Sequence, residues 1–112
     1  MNILDKIDGL EAKFHEVSLL ITDQAVIADQ ARYVRLNREY HDLERVLEVA
    51  ARYKKAVNDL QDAKDLFYNE SDPEMKEMAK AEIDELEPQI PKLEEELKLQ
   101  LLPQDPEDGK NV

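Results

Sequence analysis

The sequence contains no cysteine and no tryptophan, and it has only two glycines and 5% aromatic residues. Without cysteine, disulfides, thiolate nucleophiles and Cys-ligated zinc are excluded, and a reducing compartment is consistent with the composition. So few aromatic residues give little material for a β-rich fold or a broad globular core. No apolar run approaches the roughly 20 residues of a membrane span, and the first residues lack the order of a signal peptide. We therefore expect a cytoplasmic protein built from helices.

Charge is plentiful but uneven. Charged residues make up 38% of the chain, and the net charge is -12. Residues 1–29 hold two Lys against six acids, and residues 65–112 hold five Lys against fifteen acids, whereas residues 30–64 hold eight Lys and Arg against six acids. Because phosphate binding needs a local excess of cations, nucleic acid is not expected as a free-standing ligand. A basic strip in the middle segment stays possible.

The spacing of apolar residues predicts two helices in the first two thirds of the chain. Over residues 2–21 the apolar side chains recur with a 4-3-4-3-4 spacing, which keeps them on one side of a helix. Residues 30–68 continue such a pattern without Gly or Pro, and Asp29 is placed to cap the first turn. At about 1.5 Å per residue this second helix is a rod of about 60 Å. The domain should therefore be elongated.

A third helix is predicted over residues 73–102. Asp72 before Pro73 fits an N-cap followed by the first helical residue, and Ser71 with Glu74 fits a capping box. Pro88 lies inside this segment, as does Pro91, but the apolar spacing continues across both prolines. One kinked helix is therefore favoured over two separate helices.

The fold class that follows is all-α, an elongated antiparallel three-helix coiled coil or bundle with one long central helix. Residues 103–112 contain two prolines, a glycine and almost no apolar residue, a composition typical of a linker. We expect residues 1–102 to form one helical domain. We expect residues 103–112 to lead to a further domain that is missing here.

Few residues have the type and spacing of a catalytic or metal-binding site. His15 and His41 are far apart and in no metal-binding spacing, so both are interpreted as surface residues. Clusters such as Glu94-Glu95-Glu96 fit a solvated helix face, because consecutive helical residues point in different directions. Met75 and Met78 could line an adaptable groove but are assigned to the core, where either Met78 or Ala79 occupies the next seam position. No catalytic, cofactor-binding or metal-binding residue is predicted.

Five arginines in the predicted long helix form the one candidate binding feature. Arg38, Arg45 and Arg52 are seven residues apart and fall on the outward side when Tyr40 and Leu43 occupy core positions. Arg32 and Arg35 flank them. One interpretation is pairing with nearby acids (Asp42, Glu44, Glu48). The other is contact with RNA phosphates or an acidic protein surface, for which planar guanidinium is suited.

Three stretches, in order along the chain, resemble the bacterial peptide chain release factor 1 family of class I release factors. Residues 27–44 look like the start of the family's long helix, and residues 72–86 resemble its next helix start. Residues 101–111, Leu-Leu-Pro-Gln-Asp-Pro-Glu-Asp-Gly-Lys-Asn, are similar to the junction with the following domain and differ from the release factor 2 junction. Pro88 and Pro91 depart from the family, whose members usually carry helix formers there.

The resemblance implies the N-terminal domain of a factor that acts at the stop codons UAA and UAG. It implies contacts with the ribosome at the stalk base of the large subunit, through ribosomal RNA and protein, and with the GTPase release factor. It implies a monomer in the full-length factor, and no membrane partner is expected. The family's Gly-Gly-Gln loop, which promotes peptidyl-tRNA hydrolysis, has no counterpart in these 112 residues.

Two other functions fit part of the sequence. A free-standing coiled-coil adaptor or chaperone, prefoldin-like in shape, would explain the helices and the acidity but not the terminal linker. An enzyme with a metal site in a helical bundle is opposed by the missing ligand spacing. Without the resemblance, the adaptor is the preferred interpretation.

Overall fold

A computed structural model describes residues 2–101, and this part of the chain is helical and contains no strand. The helices are α1 (Ile3–Leu20), α2 (Gln24–Ala28), α3 (Gln30–Asn69), α4 (Pro73–Leu86) and α5 (Gln89–Leu101). The molecule measures 63 × 37 × 22 Å, so the prediction of an elongated all-helical fold around one long helix is confirmed. The expected linker, residues 103–112, lies outside the described residues. Within residues 2–101, no helix is both long and apolar enough to span a membrane.

Side chains of Asn and Asp begin four of the helices by accepting a backbone N–H of the first turn. Asp29 accepts from Arg32 at 3.2 Å, and Asp72 accepts from Glu74 at 3.0 Å, as the sequence predicted. The expected capping box at Ser71 is wrong, because the Glu74 N–H is already bonded to Asp72. The remaining two caps are Asn2 for α1 and Asp23 for α2.

α1 and α5 both run antiparallel to α3. Phe14 of α1 stacks on Tyr40 of α3 with ring centroids 4.8 Å apart, whereas Ile7, earlier in α1, contacts residues later in α3. On the other side, Lys64 lies 3.8 Å from Glu87, and Arg52 lies 2.9 Å from Glu96. Sequence numbers thus rise along one helix as they fall along its neighbour.

The main core lies where α1, α3 and α5 meet. Ile7 and Leu97 are fully buried there, and four buried α3 side chains pack between them. The α3 residues are Val46, Val49, Ala50 and Tyr53. The small residues Ala50, Ala56 and Ala63 are also buried, which lets the neighbouring helices approach α3 closely along its length.

The third predicted helix is divided. α4 ends at Leu86 and α5 begins at Gln89, with a turn at Glu87 and Pro88. Glu87 still has helical backbone angles and donates to the Ile83 carbonyl at 2.9 Å, but Pro88 has no N–H with which to continue the ladder. The single kinked helix that the sequence favoured is therefore replaced by two helices. Both pack against α3, which is why the apolar spacing continues across the break.

The assignment of Met78 to the core is wrong. Its side chain is 65% exposed, and Met75 beside it is also exposed. The buried residue of this turn is Ala79, which is only 2% exposed. Because neighbouring helical residues are about 100° apart, burying Ala79 against α3 turns Met78 toward solvent.

Candidate functional site

The first turns of α3 carry three exposed arginines, Arg32, Arg35 and Arg38. Asp29 fixes the start of the helix, and the three arginines follow at three-residue spacing, so each lies beside the next on adjacent turns. Among residues 2–101, no carboxylate oxygen lies within the 4.0 Å ion-pair distance of these guanidinium groups. The two nearby acids on the helix have other partners. Glu39 lies 3.9 Å from Lys13, and Asp42 pairs with Arg45.

Arg45 and Arg52 differ from these three because they are engaged within the chain. Arg45 donates to Asp42 at 2.9 Å, and Arg52 donates to Glu48 at 3.2 Å and to Glu96 of α5 at 2.9 Å. The hydrogen bond to Glu96, followed by the one to Glu48, raises the pKa of Arg52 above its ordinary value. An external anion would have to compete with these carboxylates.

The structure therefore divides the predicted arginine strip into two groups. Arg32, Arg35 and Arg38 are available to an external anion. Arg45 instead pairs with an acid of its own helix, and Arg52 pairs with one acid of α3 and with Glu96 of α5. Guanidinium groups bind phosphate or carboxylate through paired hydrogen bonds, so the first group can bind either RNA or an acidic protein surface. Neither interpretation of the strip applies to all five residues.

The other candidate residues either face solvent or bind neighbouring side chains of the same domain. His15 and His41 are both exposed, and His41 lies 3.4 Å from Glu44. Within the Glu94-Glu95-Glu96 run, Glu94 accepts a hydrogen bond from the Tyr53 hydroxyl at 3.1 Å, and Glu96 binds Arg52. Burial, followed by the hydrogen bond to Glu94, raises the pKa of Tyr53. In the described part of the chain, no three His, Asp or Glu side chains are arranged to hold a metal ion.

The contacts between α3 and α5 were missed by sequence reasoning. The partners Tyr53 and Glu94 are 41 residues apart, and Arg52 and Glu96 are 44 apart. A periodic pattern shows which side of a helix faces solvent but not which side chain of another helix lies opposite. Only the pairing register of α3 with α5 could have predicted them.

Comparison with known proteins places the chain in a family. A family model described as the PCRF domain matches residues 10–112. Peptide chain release factor 1 of Bacteroides fragilis is 53% identical over 111 residues, which cover 99% of this chain and 30% of that protein. Peptide chain release factor 1 of Parabacteroides distasonis is 52% identical, with the same coverage. That of Geobacter sulfurreducens is 44% identical over 98% of the chain and 30% of its own length.

No solved structure matches the chain significantly. The chain spans about 30% of the length of the release factors that it matches. The match to the family model extends over almost the whole sequence, including Arg32, Arg35 and Arg38. The chain therefore belongs to the PCRF domain family, and it is similar over nearly its whole length to bacterial peptide chain release factor 1.

Proposed function

We propose that this chain is the N-terminal domain of a translation termination factor that directs peptide release at UAA and UAG codons on the ribosome. The proposal is supported by membership of the PCRF domain family and by the identity to bacterial release factors 1. The domain contributes contacts to the ribosome and to the GTPase release factor, and it contributes no catalysis. Residues 1–112 contain no Gly-Gly-Gln sequence. In this proposal, hydrolysis belongs to a Gly-Gly-Gln loop in another part of the factor.

The proposed ribosome contact is inferred from the group of three arginines at the start of α3. Each is exposed and lacks a carboxylate partner within the described residues, so binding an external anion breaks no ion pair there. We place this group against ribosomal RNA or an acidic ribosomal protein surface at the stalk base. Arg45 and Arg52 have a lesser part, because their guanidinium groups already bind carboxylates.

The long dimension of 63 Å suits a positioning role. A rod can add a contact far from the reacting atoms and raise the effective concentration of the rest of the factor at its site. The proposed setting is the cytoplasm, and the proposed state is a monomer without cofactor, metal or membrane partner. The contact with the GTPase release factor rests on the family resemblance.

Ribosome binding by arginine variants of the chain tests this proposal. In Arg32→Gln/Arg35→Gln/Arg38→Gln the charges are lost while helix propensity is kept. If each contact contributes about 0.5 kcal/mol, the triple variant should bind about tenfold more weakly, with a shallower salt dependence. The matched control, Arg45→Gln/Arg52→Gln, loses only paired arginines and should bind within about twofold of the parent. Circular dichroism should give equal helix content for all three.

Parent-like binding of the triple variant at every salt concentration would contradict the proposed contact surface. A larger loss in the control than in the triple variant would place the contact on the paired arginines instead. A free-standing adaptor or chaperone predicts that the chain binds unfolded proteins and does not bind ribosomes. Membership of the PCRF domain family favours the termination factor over that alternative.

A further inference from the structure

A depression lies where the start of α1 meets the end of α5. It has a volume of about 240 Å³ and is lined by Asn2, Ile3, Lys6, Lys98 and Leu101. Ile3 and Leu101 are partly buried and pack against the main core, so the floor of the depression is apolar. Lys6 of α1 and Lys98 of α5 are both exposed. We name this feature the α1–α5 depression.

Both charged side chains that line the depression are lysines without an acidic partner in the described part of the chain. Within residues 2–101, no carboxylate oxygen lies within 4.0 Å of the Nζ atom of Lys6 or Lys98. Five other lysines do lie within that distance of a carboxylate. They are Lys13, Lys54, Lys55, Lys64 and Lys80. The α5 dipole favours Lys98 in its last turn, but Lys6 lies near the positive end of α1.

The acidic side chains close to these lysines in sequence do not neutralise the depression. Asp5 and Glu95 are absent from its lining. Glu94, one helical turn before Lys98, accepts a hydrogen bond from the Tyr53 hydroxyl at 3.1 Å. The lining therefore carries two positive charges and no negative one, although the whole chain has a net charge of -12. An anionic group over the depression would be stabilised by both lysines.

The polypeptide continues from Leu101, which itself lines the depression, into an acidic segment. Residues 102–109 contain Asp105, Glu107 and Asp108 and no Lys or Arg. Four residues of extended chain span at most about 14 Å, so Asp105 is tethered within that distance of Leu101. Lys98 lies about 4.5 Å of helix rise before Leu101. A chain that reverses direction after α5 can therefore bring these carboxylates to the depression.

We propose that the α1–α5 depression binds residues 105–108 of the same chain, with their carboxylates at Lys6 and Lys98 and with Pro106 over the apolar floor. Charge complementarity selects this segment, and the short tether gives it a high effective concentration at the depression. Pro106 fixes one backbone angle and so reduces the conformational entropy lost on binding. The contact joins the first helix to the segment that follows α5 and restricts the direction of that segment. This inference does not depend on ribosome binding.

A nitroxide label at position 111 of the 112-residue chain tests the proposal. The sequence has no cysteine, so Asn111→Cys provides a single labelling site. If residues 105–108 bind the depression, the label should broaden the amide signals of residues 2–7, which are remote from it in sequence. In Lys6→Gln/Lys98→Gln, the paramagnetic relaxation rates of these amides should fall at least about threefold, because the charged partners are lost. The same fall is expected in Asp105→Asn/Glu107→Gln/Asp108→Asn, which alters no residue of the helices.

The matched control is Lys80→Gln/Lys92→Gln, which removes the same charge from exposed positions on α4 and α5. Lys92 is six residues before Lys98 and about 120° around the helix from it, so this variant should keep the rates within about 1.5-fold of the parent. Equal losses in the two lysine variants would overturn the proposal by indicating general attraction. Parent-like rates in the acidic-segment variant would also overturn it. Broadening of an unlabelled isotopic chain by a labelled one would identify a second copy as the occupant and would overturn it too.

Discussion

Replacing Leu97 by Ala should destabilise the domain more than any nearby substitution on α5. The Leu97 side chain is fully buried in the core that α1, α3 and α5 form together. Truncating a buried Leu costs about 2–5 kcal/mol, because transfer free energy is lost and a cavity remains. A domain of this size is stable by about 5–15 kcal/mol, so the loss is a large fraction of the total. The midpoint of thermal unfolding should fall by roughly 10–40 °C.

The matched control for this prediction is Leu99→Ala. Leu99 lies two residues away on the same helix and is 61% exposed, so its truncation should cost no more than about 0.5–1 kcal/mol. Urea unfolding of both variants, followed by helical circular dichroism, gives the two free energies of unfolding. Equal losses for Leu97→Ala and Leu99→Ala would refute the burial pattern and the packing of α5 against α1 and α3.

Two further predictions concern single side chains. Burial, followed by the hydrogen bond to Glu94, raises the pKa of Tyr53 in the folded state. The neutral Tyr53 side chain therefore contributes fully to stability below the unfolded pKa of about 10. This contribution is lost as the pH rises through the folded pKa. Tyr53→Phe should reduce the alkaline fall of the urea midpoint, and identical slopes would contradict this. Asp72→Ala should cost about 1 kcal/mol through loss of the α4 cap. Ser71→Ala should cost less than about 0.5 kcal/mol, and a larger loss for Ser71→Ala than for Asp72→Ala would mean that the cap is misassigned.

The long helices could be predicted from the sequence because their signals are local. α3 has forty residues without Gly or Pro, a repeating apolar stripe and Asp29 at its start. The short helix α2 was not predicted, since five residues are too few for a periodic pattern to appear. Its only local sign is Asp23, whose side chain accepts from the backbone of Ala25 at 2.8 Å.

The errors in the third segment arise from tertiary contacts. The apolar phase continues across Pro88 because α4 and α5 both pack on α3, and this continuity does not reveal whether the backbone bonds also continue. Met78 lies beside the true contact position, Ala79. The apolar spacing left this seam position open between Met78 and Ala79, and the small residue is the one that is buried. The close approach of α4 to α3 therefore determines which side chain of this turn is buried.

For the candidate site, the sequence predicted the class of residue but not the division within it. All five arginines are exposed, and for Arg38, Arg45 and Arg52 the seven-residue spacing on the outer side of α3 suggests this exposure. Arg52 differs from Arg38 in having a partner on α5, Glu96, and the position of Glu96 depends on how the two helices pair. Local carboxylates alone would have predicted Asp42 as a partner for either Arg38 or Arg45.

The most direct test of the central claim compares the full-length factor with and without residues 1–102 in stop-codon-dependent peptide release. If this domain positions the factor and performs no chemistry, the deletion should leave the release rate at saturating factor within about threefold of the parent. The factor concentration needed for half-maximal release should rise by about tenfold or more, because a binding contact is lost. A fall of the saturated rate to the uncatalysed background would contradict the claim.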